Sequence, residues 1–218
     1  MVIYALITIA IFGMWYYARY EGNFLPSPKK TFNPMMLVAI VILVPGTQFA
    51  ANFIANLTGY IRPDWLQQYN ELFETSGITD TTFVTVLYSV ILAPICEELI
   101  FRGVTMRCAR KALPFALANL MQAALFGLFH LNWIQGIYAF ALGIVLGYVC
   151  ERGGSIYYSM GLHLLFNLWG TLSGFFPDPG NSVVVFVIVI AVTIVSLVVG
   201  FVLFNKGRRK LPINSTGI

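Results

Sequence analysis

Apolar residues fill long stretches of this chain and polar or Gly/Pro segments punctuate them, leaving runs at 2–17, 35–57, 82–106, 113–131, 134–150, 155–172 and 182–204. Each run approaches the ~20 residues that carry an α-helix across ~30 Å of hydrocarbon, with the fourth, fifth and sixth the shortest. The pattern predicts an all-α, polytopic transmembrane helix bundle of about seven spans, a single domain over residues 1–218. The longest polar segment, 59–80, contains Pro63, Asp64 and Trp65, and reads either as a short interfacial helix with Trp65 at headgroup level or as a plain loop. The first run lacks the basic start and small-residue cleavage site of a secretory signal, so it reads as a retained span. No internal repeat of the inverted-transporter kind and no low-complexity tract interrupts the series.

Composition agrees with a bilayer as solvent: 58% of the residues are hydrophobic and only 10% charged, with a mean hydropathy of +0.79. Soluble, disordered and fibrous classes are excluded on that balance. The net charge of +4 does not imply a nucleic-acid partner, because the basic residues cluster at the ends of apolar runs rather than on a solvated face. Arg19, Lys29 and Lys30, then Arg107, Arg110 and Lys111, then Arg152, then Lys206, Arg208, Arg209 and Lys210 fall in alternate connections. Asp64, Glu71, Glu74, Asp80 and Asp178 fall in the others. The positive-inside bias therefore predicts an odd number of spans, an N-terminus outside and a cytoplasmic C-terminus. Cys96, Cys108 and Cys150 have neither disulfide-framework nor metal-site spacing and read as small apolar fillers.

Three elements place ionisable groups inside apolar runs, where each costs roughly 2.5–3.5 kcal/mol on insertion scales unless paired or hydrated. They are Glu97-Glu98 with Arg102, Phe126 with His130, and His163 with Asn167, and they include both histidines of the chain. On a helix Glu98 and Arg102 share a face and can pair, while Glu97 turns ~100° away and stays available as a general base. His163 and Asn167 share a face as polar donors suited to an oxyanion hole. Phe126 lies one turn beneath His130 and limits its rotation. Helical rise brings Glu97 and His130 to similar depths, ~20 and ~24 Å from a turn near 111–113, with His163 and Asn167 shallower at ~12 and ~18 Å.

These residues resemble the CAAX protease and bacteriocin-processing (CPBP, or Abi) family of membrane proteins, typified by the Ras-converting CAAX endopeptidase. The family's EExxxR is matched by Glu97, Glu98 and Arg102, its FxxxH by Phe126 and His130, and its HxxxN by His163 and Asn167, in the same order. The family-like catalytic core covers about 82–172. The resemblance implies a glutamate-dependent intramembrane endopeptidase in which Glu97 and His130 activate water and His163 with Asn167 stabilises the oxyanion. Glu98, Arg102 and Phe126 are then structural supports. The implied partners are a peptide or membrane-protein substrate and the lipid bilayer, in a multi-pass protein of the bacterial plasma membrane. No cofactor is expected; zinc is the alternative, against which stand the absence of HExxH and the positive charge of Arg102. Two other readings remain open from sequence: a non-catalytic regulator or bacteriocin self-immunity protein that keeps the cluster as a polar clamp, and a proton-coupled carrier.

Overall fold

Eight helices account for the secondary structure of residues 1–24, 32–76, 82–173 and 182–208, which the computed structural model describes. They are α1 (Val2–Phe24), α2 (Pro34–Ile61), α3 (Pro63–Ser76), α4 (Phe83–Ala109), α5 (Phe115–Phe129), α6 (Trp133–Gly153), α7 (Ile156–Ser173) and α8 (Val183–Gly207). The all-α expectation holds over these residues. Four of the helices, α2, α4, α6 and α8, are long and apolar enough to cross a membrane, while Val2–Ala18 and α5 are shorter apolar helices. Of the charges used to argue orientation, Lys29, Lys30, Asp80, Asp178, Arg209, Lys210 and the side chain of Arg19 lie outside the described residues.

Local sequence explains where helices begin and end. Asn33 caps α2 by accepting from the Met35 amide at 2.9 Å, with Pro34 in the first turn. Asn132 caps α6 in the same way through the Gln135 amide at 3.1 Å, and Gly154, at φ 64°, closes it in the left-handed region. The polar segment after α2 is a helix rather than a loop: α3 carries Trp65 stacked on Trp133 of α6, centroids 5.3 Å apart, with the Arg62 guanidinium over the Trp65 ring. The Arg62 hydrogen bonds hold the Asp64 carboxyl below the usual carboxylate range.

Two prolines sit inside long helices, and each has a local remedy. Pro94 in α4 has no amide hydrogen, and its ring would strike the carbonyl four residues back. The helix widens to π geometry over Leu87–Leu92 just before it, and again over Leu99–Met106, so the Glu-Glu turn lies between two widened stretches. In α2, Pro45 is followed by Gly46, whose amide donates at 2.9 Å to Ser196 of α8, and that hydroxyl donates in turn to the Ile42 carbonyl. The Gly46 amide would ordinarily bond that same carbonyl, so a side chain of α8 is inserted in the ladder of α2.

Contacts sort the helix ends into two groups. At one end Arg110 of α4 pairs with Glu151 of α6 at 3.2 Å, Arg107 of α4 reaches Tyr16 of α1, and Asn33 before α2 donates to Gly207 of α8. The Asn33 amide also donates to the Tyr158 hydroxyl near the start of α7. Trp65 and Trp133 meet at the other end. Helix α7 begins level with Gly103, against which Ile156 packs, so it starts well inside the end of α4. From that shared level His163 and Glu97 are both ~9–11 Å along their helices, which removes the depth difference expected from sequence.

Replacing Ser196 with Ala leaves the Gly46 amide and the Ile42 carbonyl unbridged in an apolar interface. The substitution is expected to cost about 1–3 kcal/mol, read as a lower midpoint of thermal unfolding in detergent, with Ser196→Thr closer to wild type.

Candidate active site

The residues singled out from sequence come from α4, α5 and α7, and most of them meet around one ring. Phe126 of α5 is buried, 1% exposed. The Arg102 guanidinium lies over its face at 4.5 Å, and the rings of His130 and His163 stand edge-on to it, with centroids at 5.0 and 5.7 Å. Phe101 and Phe126 pack at 5.2 Å from the α4 side. A cation over an aromatic face is attracted by the ring quadrupole, so Phe126 partly compensates the desolvation of Arg102 while fixing two imidazoles.

Glu98 and Arg102 are fully buried. Arg102 Nη1 donates to Glu98 Oε1 at 2.8 Å, one turn apart as the spacing predicts. The same oxygen receives His163 Nδ1 at 3.0 Å, and Arg102 Nη2 reaches the Gly143 carbonyl of α6 at 3.4 Å. Glu98 therefore ties α4 to α7, and Arg102 ties α4 to α6. Glu97 is the more accessible of the two carboxylates, its side chain 16% exposed, and its Oε2 lies 3.5 Å from His163 Nε2. The imidazole of His163 stands between both glutamates, an arrangement that the one-turn spacings do not reveal.

The other two positions are placed differently. His130 ends α5, and its Nδ1 lies 2.8 Å from the Phe126 carbonyl. A carbonyl only accepts, so Nδ1 carries the hydrogen and the neutral ring keeps its lone pair on Nε2. No hydrogen bond joins His130 to Glu97 among the described residues; Phe126 and His163 lie between them. Asn167 lies one turn beyond His163 and donates from Nδ2 to the Ser89 carbonyl at 2.8 Å, in the first π stretch of α4. Among the described residues no three His, Cys, Asp or Glu side chains converge on one point.

Sequence reasoning missed the polar partners on α5 and α6. Gln122 is fully buried and donates to the Gly143 carbonyl at 2.9 Å and to Asn119 at 2.7 Å. The available signal was two amides three residues apart in an otherwise apolar run, on the face that also carries Phe126 and His130.

Arg102→Met strands the Glu98 carboxylate in the core and is expected to destabilise the protein by about 3–5 kcal/mol. The double change Glu98→Gln with Arg102→Met removes both charges and is expected to recover most of that loss, measured by thermal unfolding of the two variants side by side.

No curated protein and no solved structure matches the chain. Residues 79–169, which span α4 to α7 as far as Trp169 and include every residue of the cluster, match the family model described as type II CAAX prenyl endopeptidase Rce1-like. That segment, which carries the EExxxR, FxxxH and HxxxN positions, is similar to an Rce1-like domain.

Proposed function

We propose that the protein is an intramembrane endopeptidase whose reacting groups are Glu97, His130, His163 and Asn167. The reading rests on the family of residues 79–169, and the observation that carries it is the facing pair Glu97 Oε2 and His163 Nε2 at 3.5 Å. A scissile peptide group entering there meets a carboxylate on one side and an imidazole nitrogen on the other. Glu97, the more exposed carboxylate, takes a proton from water as the oxygen attacks the carbonyl carbon. His130 assists through Nε2, the nitrogen left free by its bond to the Phe126 carbonyl.

Negative charge then develops on the carbonyl oxygen. His163 donates to it from Nε2 while its Nδ1 donates to Glu98, so the ring acts as an imidazolium whose charge Glu98 balances. Asn167 supplies a second donor from the hydrogen on Nδ2 that the Ser89 carbonyl does not take. The proton held by Glu97 passes to the leaving amine, closing the balance of hydrolysis. This reading needs no metal ion, because Glu98 Oε1 is already shared by Arg102 and His163.

The seven-span topology, with the N-terminus outside and the C-terminus cytoplasmic, belongs to the same proposal. It is supported by the gathering of Arg107, Arg110 and Lys206 at one end of the bundle and of Arg62, Asp64, Glu71 and Glu74 at the other. The substrate is a peptide or membrane protein, and the location a bacterial plasma membrane.

Purified protein in lipid nanodiscs, assayed on a peptide library, is expected to cleave. Glu97→Gln is expected to lower the rate by about 10²–10⁴-fold without lowering the unfolding midpoint, and a chelator is expected to leave the rate unchanged. Full activity of Glu97→Gln would favour a polar clamp without catalysis, and loss of activity with the chelator would restore the zinc alternative.

A further inference from the structure

Two amides and two glycines outside the Glu-Glu, Phe-His and His-Asn elements form a second polar unit beside the cluster. Asn119 and Gln122 lie on the buried face of α5, three residues apart. Burying such groups between apolar helices is unfavourable unless their hydrogen bonds are made. Here the amide nitrogens make theirs, within α5 and to the neighbouring helix, while Gln122 Oε1 is buried with no hydrogen-bond partner among the described residues. Asn119 Nδ2 donates to the Ile144 carbonyl at 3.0 Å, and Gln122 Nε2 donates to both Asn119 Oδ1 and the Gly143 carbonyl. Because each nitrogen faces only acceptors, the orientation of both amides is fixed by their partners.

The facing helix is shaped for them. A Cβ at Gly147 would stand 1.9 Å from Asn119 Oδ1 and 2.7 Å from Gln122 Nε2, so no side chain fits there while the amides keep their places. A Cβ at Gly143 would press on Ala123 at 3.1 Å and on the Phe126 ring at 3.2 Å. These glycines let α5 and α6 approach until the Gly143 carbonyl is within reach of a side chain from α5.

That carbonyl is the link to the cluster, because Arg102 Nη2 also points at it, at 3.4 Å against 2.9 Å for Gln122. We infer that Gln122 is a positioning residue for the reaction: by occupying the Gly143 carbonyl it limits the pull of that carbonyl on Arg102, and so sets the Arg102, Glu98 and His163 geometry. The consequence of removing it is directional. A freed carbonyl draws the guanidinium closer, Arg102 loosens from Glu98 Oε1, and His163, which shares that oxygen, shifts relative to Glu97.

The inference rests on the catalytic reading for its functional consequence, but its structural core can be tested separately. The chain contains two histidines, so the full-length protein labelled with ¹⁵N-histidine in lipid nanodiscs gives two sets of ring signals, assigned with His130→Gln. In Gln122→Met, which keeps the length and loses the donor, the His163 ring nitrogens are expected to move while those of His130 stay. On a peptide that wild type cleaves, kcat is expected to fall by about tenfold, with KM unchanged and the pH profile displaced. Gly147→Ala reaches the same amides from α6 and is expected to reproduce the His163 displacement, which covers the case in which Gln122→Met fails to fold. Leu120→Ala, on the exposed side of α5, serves as the control.

Unmoved His163 signals in either folded variant overturn the inference, as does a kcat loss that only follows a lower unfolding midpoint with an unchanged pH profile. Displaced His163 signals in a protein that cleaves no peptide would support the positioning role and reject the endopeptidase reading.

Discussion

A carboxylate and a guanidinium that never meet solvent constrain the rest of this bundle. Taking either charge into an apolar interior alone is prohibitively unfavourable, and even a pair is stable only when further hydrogen bonds satisfy it. Glu98 and Arg102 answer this by recruiting three other helices. His163 of α7 comes to the carboxylate, the Gly143 carbonyl of α6 to the guanidinium, and the Phe126 ring of α5 to its face. Each helix that contributes a partner is thereby held in one rotation against α4. With Glu98 pinned inward, Glu97 is turned toward the more open side of His163, so the structural pair determines where the available carboxylate points.

Close approach of backbones makes this possible. Carbonyls inside helices are normally hidden by side chains, and one becomes a side-chain acceptor only where the neighbouring helix lies very near. Between α5 and α6 the backbones approach closely at Gly127 and Gly136, where a Cβ on Gly127 would stand 2.5 Å from the Gly136 carbonyl oxygen. Gly143 and Gly147 continue the same seam toward Asn119 and Gln122. Small residues along one seam are the ordinary means of packing helices where lipid offers no hydrophobic drive. Here the seam also exposes an acceptor to Arg102.

What sequence reveals and what it hides divides along the same line. Relations within one helix were legible: Glu98 with Arg102, Phe126 with His130, and the common face of His163 and Asn167 all follow from 3.6 residues per turn. The apolar runs located the helices, although α2 continues to Ile61 and α5 stops at Phe129, because capping and the tight turn through Leu131, at φ 54°, decide ends that hydropathy does not. Relations between helices were hidden. The bridge of His163 between the two glutamates depends on α7 starting level with Gly103, and the bond from Asn167 to Ser89 depends on a carbonyl in a widened turn. The polar stretch that became α3 was ambiguous because its helix is held by Trp65 on Trp133, a contact across 68 residues of chain.

The two histidines illustrate how identical side chains acquire different chemistry from their second nitrogen. His130 gives its Nδ1 hydrogen to a neutral backbone carbonyl, which leaves a basic Nε2 and adds no charge. His163 gives its Nδ1 hydrogen to a buried carboxylate, that of Glu98. In the proposed mechanism one imidazole takes a proton and the other offers a hydrogen bond. In the proposed reaction, a peptide entering between Glu97 and His163 would separate the two, and the oxyanion would take the place of the Glu97 carboxylate beside the His163 ring.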